Sequence, residues 1–265
     1  MVAGSAAGGR VPGEALVTGR GIHAPSPRPR PSPAAGPPPH AVAAYGEPTA
    51  GLTPPGEPPL HAEAAPRVGV LALQGDVLEH LRMLAEVGAD PVRVRTPADL
   101  DGLHGLVLPG GESTTIGRLL DLHELTGPVR AAIAAGLPTL GTCAGAILLA
   151  REARNDDGTP SRQPLLGVLD IVVRRNAFGR QVASAECTVD VAGLPAPMPA
   201  VFIRAPWIEE VGDEVEVLAT VPTELGDKIV LARQGTVVAC AFHPELAGDA
   251  GLHRLLTAAA RVYSR

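Results

Sequence analysis

Cysteine is scarce and odd in number: Cys143, Cys187 and Cys240 are the only three in 265 residues. With no secretory leader, this excludes a disulfide-stapled scaffold and implies free thiols in a reducing, cytoplasmic compartment. Basic charge is also short. Twenty-two Lys and Arg against 28 Asp and Glu give a net charge of −6, which excludes a nucleic-acid-binding surface. The Arg-Pro alternation at Arg28 and Arg30 is too brief to alter that. Long apolar runs are missing. The most apolar stretch, Val129 to Ala150, is broken by Arg130, Pro138 and several glycines, so it does not suit a membrane span. At the start, Arg10 interrupts a Gly/Ala stretch too weak for the apolar core of a signal peptide. Cys187, Cys240 and His243 lack the close paired spacing of a zinc site, and no metal is expected.

Proline, by contrast, is concentrated. Fifteen of the 28 prolines fall in the first 66 residues, a stretch also rich in Gly and Ala and without apolar periodicity. A segment such as 24-APSPRPRPSPAAGPPPH-40 cannot bury enough surface to offset chain entropy. Residues 1–66 therefore read as a disordered or polyproline-like extension, and residues 67–265 as the folded domain. An extended start or tail and a docking arm are both compatible with that composition.

The folded part alternates strand and helix signals. Val68–Leu73, Val92–Arg95, Leu103–Leu108 and Pro138–Thr142 are short apolar runs suited to strands buried on both faces. Helical spacing over Val77–Val87 puts Leu78, Leu81, Leu84 and Ala85 on one face, and further helices are expected over Ile116–Leu125, Val129–Ala135 and Ala144–Ala150. The second half offers strands at Leu166–Arg174, Glu186–Val191, Val201–Ala205, Val215–Val221, Ile229–Arg233 and Thr236–Phe242. A closing helix over Leu252–Tyr263 has Leu252, Leu255, Leu256 and Ala259 on one face. The pattern predicts an α/β fold: a single three-layer domain with a mostly parallel sheet flanked by helices.

The strongest chemical signal is 141-GTCAG-145, set between a strand and a helix as in a nucleophile elbow. A nucleophile on a sharp turn needs neighbours without Cβ atoms, which Gly141 and Gly145 supply. The helix that follows aims its positive end at the sulfur of Cys143, and the Ala144 N–H is placed to donate to an oxyanion. Alone, a strand-end cysteine is equally a packing residue. In 242-FHPEL-246, His243 ends an apolar strand, and Pro244 favours an extended backbone in which Glu245 faces the same way as His243. Thiol, imidazole and carboxylate together meet the needs of acyl transfer.

These motifs, with 69-GVLALQGDVLEH-80, 107-VLPGGESTTIGRLL-120, 140-LGTCAGAILLA-150, 175-RNAFGRQ-181 and 202-FIRAP-206, resemble the glutaminase subunits of pyridoxal 5'-phosphate synthase, a branch of the class I glutamine amidotransferases. The resemblance runs from about residue 67 to the end. It implies a glutaminase that converts L-glutamine to L-glutamate and ammonia without cofactor, with Cys143 as nucleophile, His243 as acid–base and Glu245 orienting it. It further implies glutamine-binding roles for Gly111, Glu112, Ser113, Arg175, Ile203 and Arg204. It implies an oxyanion hole from Gly110, Gly111 and Ala144, and a partner surface at Gln74 and Asp76. The implied partner is a (β/α)₈-barrel synthase subunit in a large 12+12 hetero-oligomer, which uses the ammonia for vitamin B6 biosynthesis. Gly110 to Ser113 is also compatible with a plain turn capped by Ser113. Three stretches depart from the pattern: Ala247-Gly248, Ser184-Ala185-Glu186 and the loop 155-NDDGTPSRQP-164. A glutaminase serving another synthase, a non-catalytic scaffold and a stand-alone thiol hydrolase are the rival readings.

Overall fold

Short apolar runs bounded by glycine or proline become the strands of one central sheet. The computed structural model describes residues 64–178 and 184–265. The extension expected over residues 1–66 lies outside them, apart from its last three residues. Of these, Pro66 is buried and its carbonyl accepts a hydrogen bond from the Asp90 N–H at 2.9 Å, so the folded part already includes it.

In chain order the elements are β1 (Arg67–Leu71), α1 (Val77–Glu86), β2 (Asp90–Val94), β3 (Gly105–Leu108), α2 (Ser113–Leu122), α3 (Thr126–Ala134), β4 (Thr139–Thr142), α4 (Ala144–Leu149), β5 (Ala150–Arg154), β6 (Leu169–Arg174), β7 (Ser184–Val189), β8 (Met198–Ile203), β9 (Trp207–Val211), β10 (Glu216–Val221), β11 (Lys228–Gln234), β12 (Val237–Cys240) and α5 (Gly251–Tyr263). The sheet order is β2-β1-β3-β4-β12-β11-β9-β6-β5, with β10 alongside β11, while β7 and β8 form a separate antiparallel ribbon. From β2 to β12 all neighbours are parallel. Beyond β12 the pairings turn antiparallel until β5 joins β6 in parallel.

Alternation along each strand feeds two cores. On one face Leu71, Leu106 and Leu108 meet Ile116 and Leu120 of α2, Val129 and Ile133 of α3, and Ile147 of α4. On the other, Val68, Val70 and Val107 meet Leu84 of α1, Leu256 and Ala260 of α5, and Phe202 of the ribbon. The result is the expected three-layer α/β domain.

Several expectations need correction. Strands β5 and β9 were not expected. Strand β5 reads Ala-Arg-Glu-Ala-Arg, and only Ala150 and Ala153 turn inward, while Arg151 and Arg154 pair with Asp170, Glu209 and Glu210. The strand expected from Leu166 begins only at Leu169, after a turn with Gly167 at φ +63°. The strand expected over Val201–Ala205 spans Met198–Ile203 and stops where Arg204 takes φ +45°. The buried faces of α1 and α5 are turned by one position from their leucine stripes. On α1 the buried residues are Val77, His80, Met83 and Leu84, and Leu78 is 49% exposed. On α5 they include Leu252, His253, Leu256, Thr257 and Ala260, and Leu255 is 47% exposed.

Candidate active site

Strands β4 and β12 are parallel neighbours with Thr142 opposite Cys240, so both chains leave the sheet at the same edge. One residue past β4 comes Cys143, whose N–H donates to the Cys240 carbonyl at 2.8 Å. Three residues past β12 comes His243, whose N–H donates to the Val201 carbonyl of β8 at 2.9 Å. Ladder pairing thus brings together groups separated by a hundred positions in the chain.

Cys143 has φ 46° and ψ −99°, a conformation that costs about 1–3 kcal/mol for a residue with a side chain and persists only where neighbours enforce it. The neighbours are glycines for steric reasons. A Cβ on Gly145 would stand 2.0 Å from the Leu108 carbonyl oxygen, and one on Gly141 would stand 2.7 Å from the Gly145 backbone. The elbow is therefore wedged against β3. Ala144, the first residue of α4, is buried.

His243 and Glu245 are both buried, and His243 Nδ1 lies 2.8 Å from Glu245 Oε1. Asp76 Oδ2 is 3.3 Å from the same nitrogen. Burial alone would lower the imidazole pKa, but hydrogen bonds to Asp76, Cys143 and Glu245 outweigh it and push it up to about 12. Burial likewise works against ionised Glu245, yet hydrogen bonds to His243 and His80 hold its carboxyl down at about 2. Asp76, His243 and Glu245 offer ligand atoms within 4.8 Å of one another. A cation there would have to displace the proton that ties His243 to both carboxylates.

A small cavity, about 170 Å³, opens beside Cys143. Gly111, Glu112, Ser113, Arg175, Ile203 and Arg204, the residues assigned to glutamine, all line it, and Ile147 and Asn176 join them. Glu112, not Ser113, is the N-cap of α2. Its carboxylate accepts from the N–H groups of Thr114 and Thr115, which with the Thr115 hydroxyl hold its pKa near 2 against the opposing effect of burial. That carboxylate is thus engaged in capping. The Arg175 guanidinium is steadied by Ser161, Thr114 and Glu112 at 3.3–3.4 Å.

Gln74 and Asp76, assigned to a partner surface, also brace this loop. Gln74 Oε1 accepts from the Glu112 N–H at 2.8 Å, and the Asp76 N–H donates to the Gly110 carbonyl at 3.1 Å. Gly110 must lack a side chain, since a Cβ there would stand 2.4 Å from His243 Cε1. The Ala247-Gly248 departure leaves the histidine turn intact, because the support is backbone: the Ala247 N–H donates to the His243 carbonyl at 3.3 Å. Cys240 is buried, and burial pushes its thiol well above the ordinary range. Cys187 is exposed in a larger groove of about 820 Å³ between β7 and β10, whose lining has no histidine.

Sequence reasoning missed four residues. Gln163 accepts from the Ser113 hydroxyl at 3.0 Å, and Ser161 meets Arg175, so the loop 155–164 supports the cavity. His80 and His253 are both fully buried behind Glu245. Their signal was an imidazole at a core position of an amphipathic helix.

The profile of the SNO glutamine amidotransferase family matches residues 70–259. The chain belongs to that family. A family relative from Frankia alni, named pyridoxal 5'-phosphate synthase subunit PdxT, is 61% identical over 193 residues, covering 72% of this chain and 94% of that protein. The protein of the same name from Nocardioides sp. is 57% identical over 192 residues, covering 72% of this chain and 94% of its own length. Among solved structures, a glutamine amidotransferase is 49% identical with a TM-score of 0.67, covering 73% of this chain and 98% of that one. PurLQS from Thermotoga maritima, 16% identical with a TM-score of 0.55 and covering 76% of this chain and 100% of that one, shares the fold alone. Among the described residues no helix is long and apolar enough to cross a membrane.

Proposed function

We propose that this glutamine amidotransferase is the glutaminase subunit of a pyridoxal 5'-phosphate synthase and works through Cys143, His243 and Glu245. The observation that carries the reading is a hydrogen-bonded His243–Glu245 pair beside a strained Cys143 that opens into a small cavity with an arginine on its wall. A free amino acid brings a carboxylate, and guanidinium groups such as those of Arg175 and Arg204 suit it. The Cys143 sulfur attacks the side-chain amide carbon of L-glutamine, and the N–H groups of Gly111 and Ala144 receive the oxyanion. As the sulfur attacks, His243 takes the Cys143 thiol proton, and it returns that proton to the departing nitrogen as the C–N bond breaks and ammonia leaves. A thioester remains on Cys143. Water gives a proton to His243 as it attacks the thioester carbon, the C–S bond breaks as His243 passes that proton to the departing sulfur, and L-glutamate leaves. Glu245 keeps the imidazole oriented through both half-reactions.

The ammonia is handed to a (β/α)₈-barrel synthase subunit for vitamin B6 biosynthesis, in a cytoplasmic 12+12 assembly that docks at Gln74 and Asp76. Residues 67–265 form the glutaminase domain, and residues 1–66 are a proline-rich extension to it. The test measures ammonia release from glutamine with and without the synthase subunit, and product formation from glutamine or from ammonium salt. Wild-type protein is expected to release ammonia in the complex. Cys143→Ala should abolish glutamine-dependent synthesis and leave ammonium-dependent synthesis unchanged. Glutamine turnover by the Cys143→Ala complex would sink the reading.

A further inference from the structure

Behind the triad lies a run of buried polar groups that the mechanism above does not use. His80 sits on the inner face of α1 and His253 on that of α5, both with no solvent exposure. His80 Nε2 is 3.4 Å from Glu245 Oε1 and 3.1 Å from Thr142 Oγ1. His80 Nδ1 is 2.9 Å from His253 Nε2. Glu245 Oε2 and His253 Nδ1 are buried without hydrogen-bond partners. Burying two imidazoles in a layer otherwise filled by Leu and Val is costly unless the polar atoms have work to do.

Proton accounting fixes the tautomers. His253 Nδ1 has no acceptor, so a proton there would be an orphaned buried N–H, whereas a bare ring nitrogen is the lesser penalty. His253 therefore carries its proton on Nε2 and donates it to His80 Nδ1. His80 then carries its own proton on Nε2 and donates it toward Glu245 Oε1 and Thr142 Oγ1. Glu245 Oε1 receives the His243 proton from the other side. All donation points toward the carboxylate. With Oε2 unpartnered, everything that fixes the rotation of this carboxylate acts on Oε1. Thr142 immediately precedes the nucleophile, so one imidazole ring links the acid to the strand that carries the thiol.

We propose that His80, its tautomer set by His253, is a positioning residue that fixes the Glu245 carboxylate against Thr142 and so holds the base in register with Cys143. The proposal rests on the triad reading given above.

The experiment uses the full chain in complex with its synthase subunit and compares His80→Gln with His80→Asn. A glutamine amide nitrogen reaches the place of Nε2, and an asparagine amide stops at the place of Nδ1. Steady-state ammonia release is expected to show kcat lowered about 10–100-fold in His80→Asn, the worth of one hydrogen bond to a charged group. KM for glutamine should stay within about two-fold of wild type, as befits a group that does not touch substrate. His80→Gln should recover kcat to within about five-fold of wild type, since it restores the donor. His253→Leu, which leaves His80 in place but removes the donor that sets its tautomer, should lower kcat with the same constancy of KM. Equal kcat in the Gln and Asn variants, a loss carried by KM, or an unaffected His253→Leu enzyme would overturn the proposal. A wild-type complex that releases no ammonia would bring down the triad reading and this inference with it. A working wild type with indifferent His80 variants would remove only the role of His80.

Discussion

Gly145 lies so close to Leu108 that a Cβ on the glycine would stand 2.0 Å from the leucine carbonyl oxygen. The obstacle is the backbone of β3, which cannot swing aside as a side chain can. Gly145→Ala is therefore expected to push the start of α4 away from β3 and carry Cys143 with it. Overpacking of this kind costs about 1–3 kcal/mol, and a backbone obstacle places this site at the upper end. Urea denaturation reads the stability loss, and glutaminase turnover should fall more steeply than stability. A variant with wild-type turnover would show that the elbow does not need this contact.

Acid should act on the site through Glu245. Its pKa is lowered from an ordinary 4.5 to about 2, so the stability it contributes is complete above about pH 4.5 and is lost as pH falls through about 2. In Glu245→Gln that contribution is missing. The stability gap between wild type and variant should therefore narrow steadily between about pH 4.5 and 2. His243 has the opposite sign. Raised from 6.5 to about 12, its contribution is complete below about pH 6.5 and fades as pH climbs through about 12. Denaturation curves at a series of pH values check both limbs, and a gap that stays constant on the acid side would contradict the assignment.

Arg175 is held by Ser161, Thr114 and Glu112 against the cavity wall rather than by the Cys143, His243 and Glu245 side chains. Arg175→Ala is expected to raise KM for glutamine about 10–100-fold, the worth of a charged hydrogen-bonded contact, with a smaller effect on kcat. Steady-state kinetics with the synthase present would separate the two, and a change confined to kcat would move Arg175 from binding to chemistry.

The triad was legible because each member carries a local signature: glycines two residues either side of Cys143, and a proline that sets His243 and Glu245 on one side of an extended segment. The parallel half of the sheet was legible for a similar reason, since strands buried on both faces are continuous apolar runs. Strand β5 was not, because its partners are charges on β6 and β9 rather than a core. His80 and His253 were hidden by the choice of helical stripe. Counting leucines on α1 selects Leu78, which is half exposed, and passes over the histidine that packs inward. Burial of a polar ring is decided by what faces it across the sheet, here Glu245 and Thr142, and that information is not local.

Since β4 and β12 are interior neighbours of a ten-stranded sheet, the amide of Cys143, bonded to Cys240, should be among the last of the described residues to exchange with deuterium. A cysteine and histidine anchored this deeply are a poor place for a control device, because loosening them would require opening the centre of the domain.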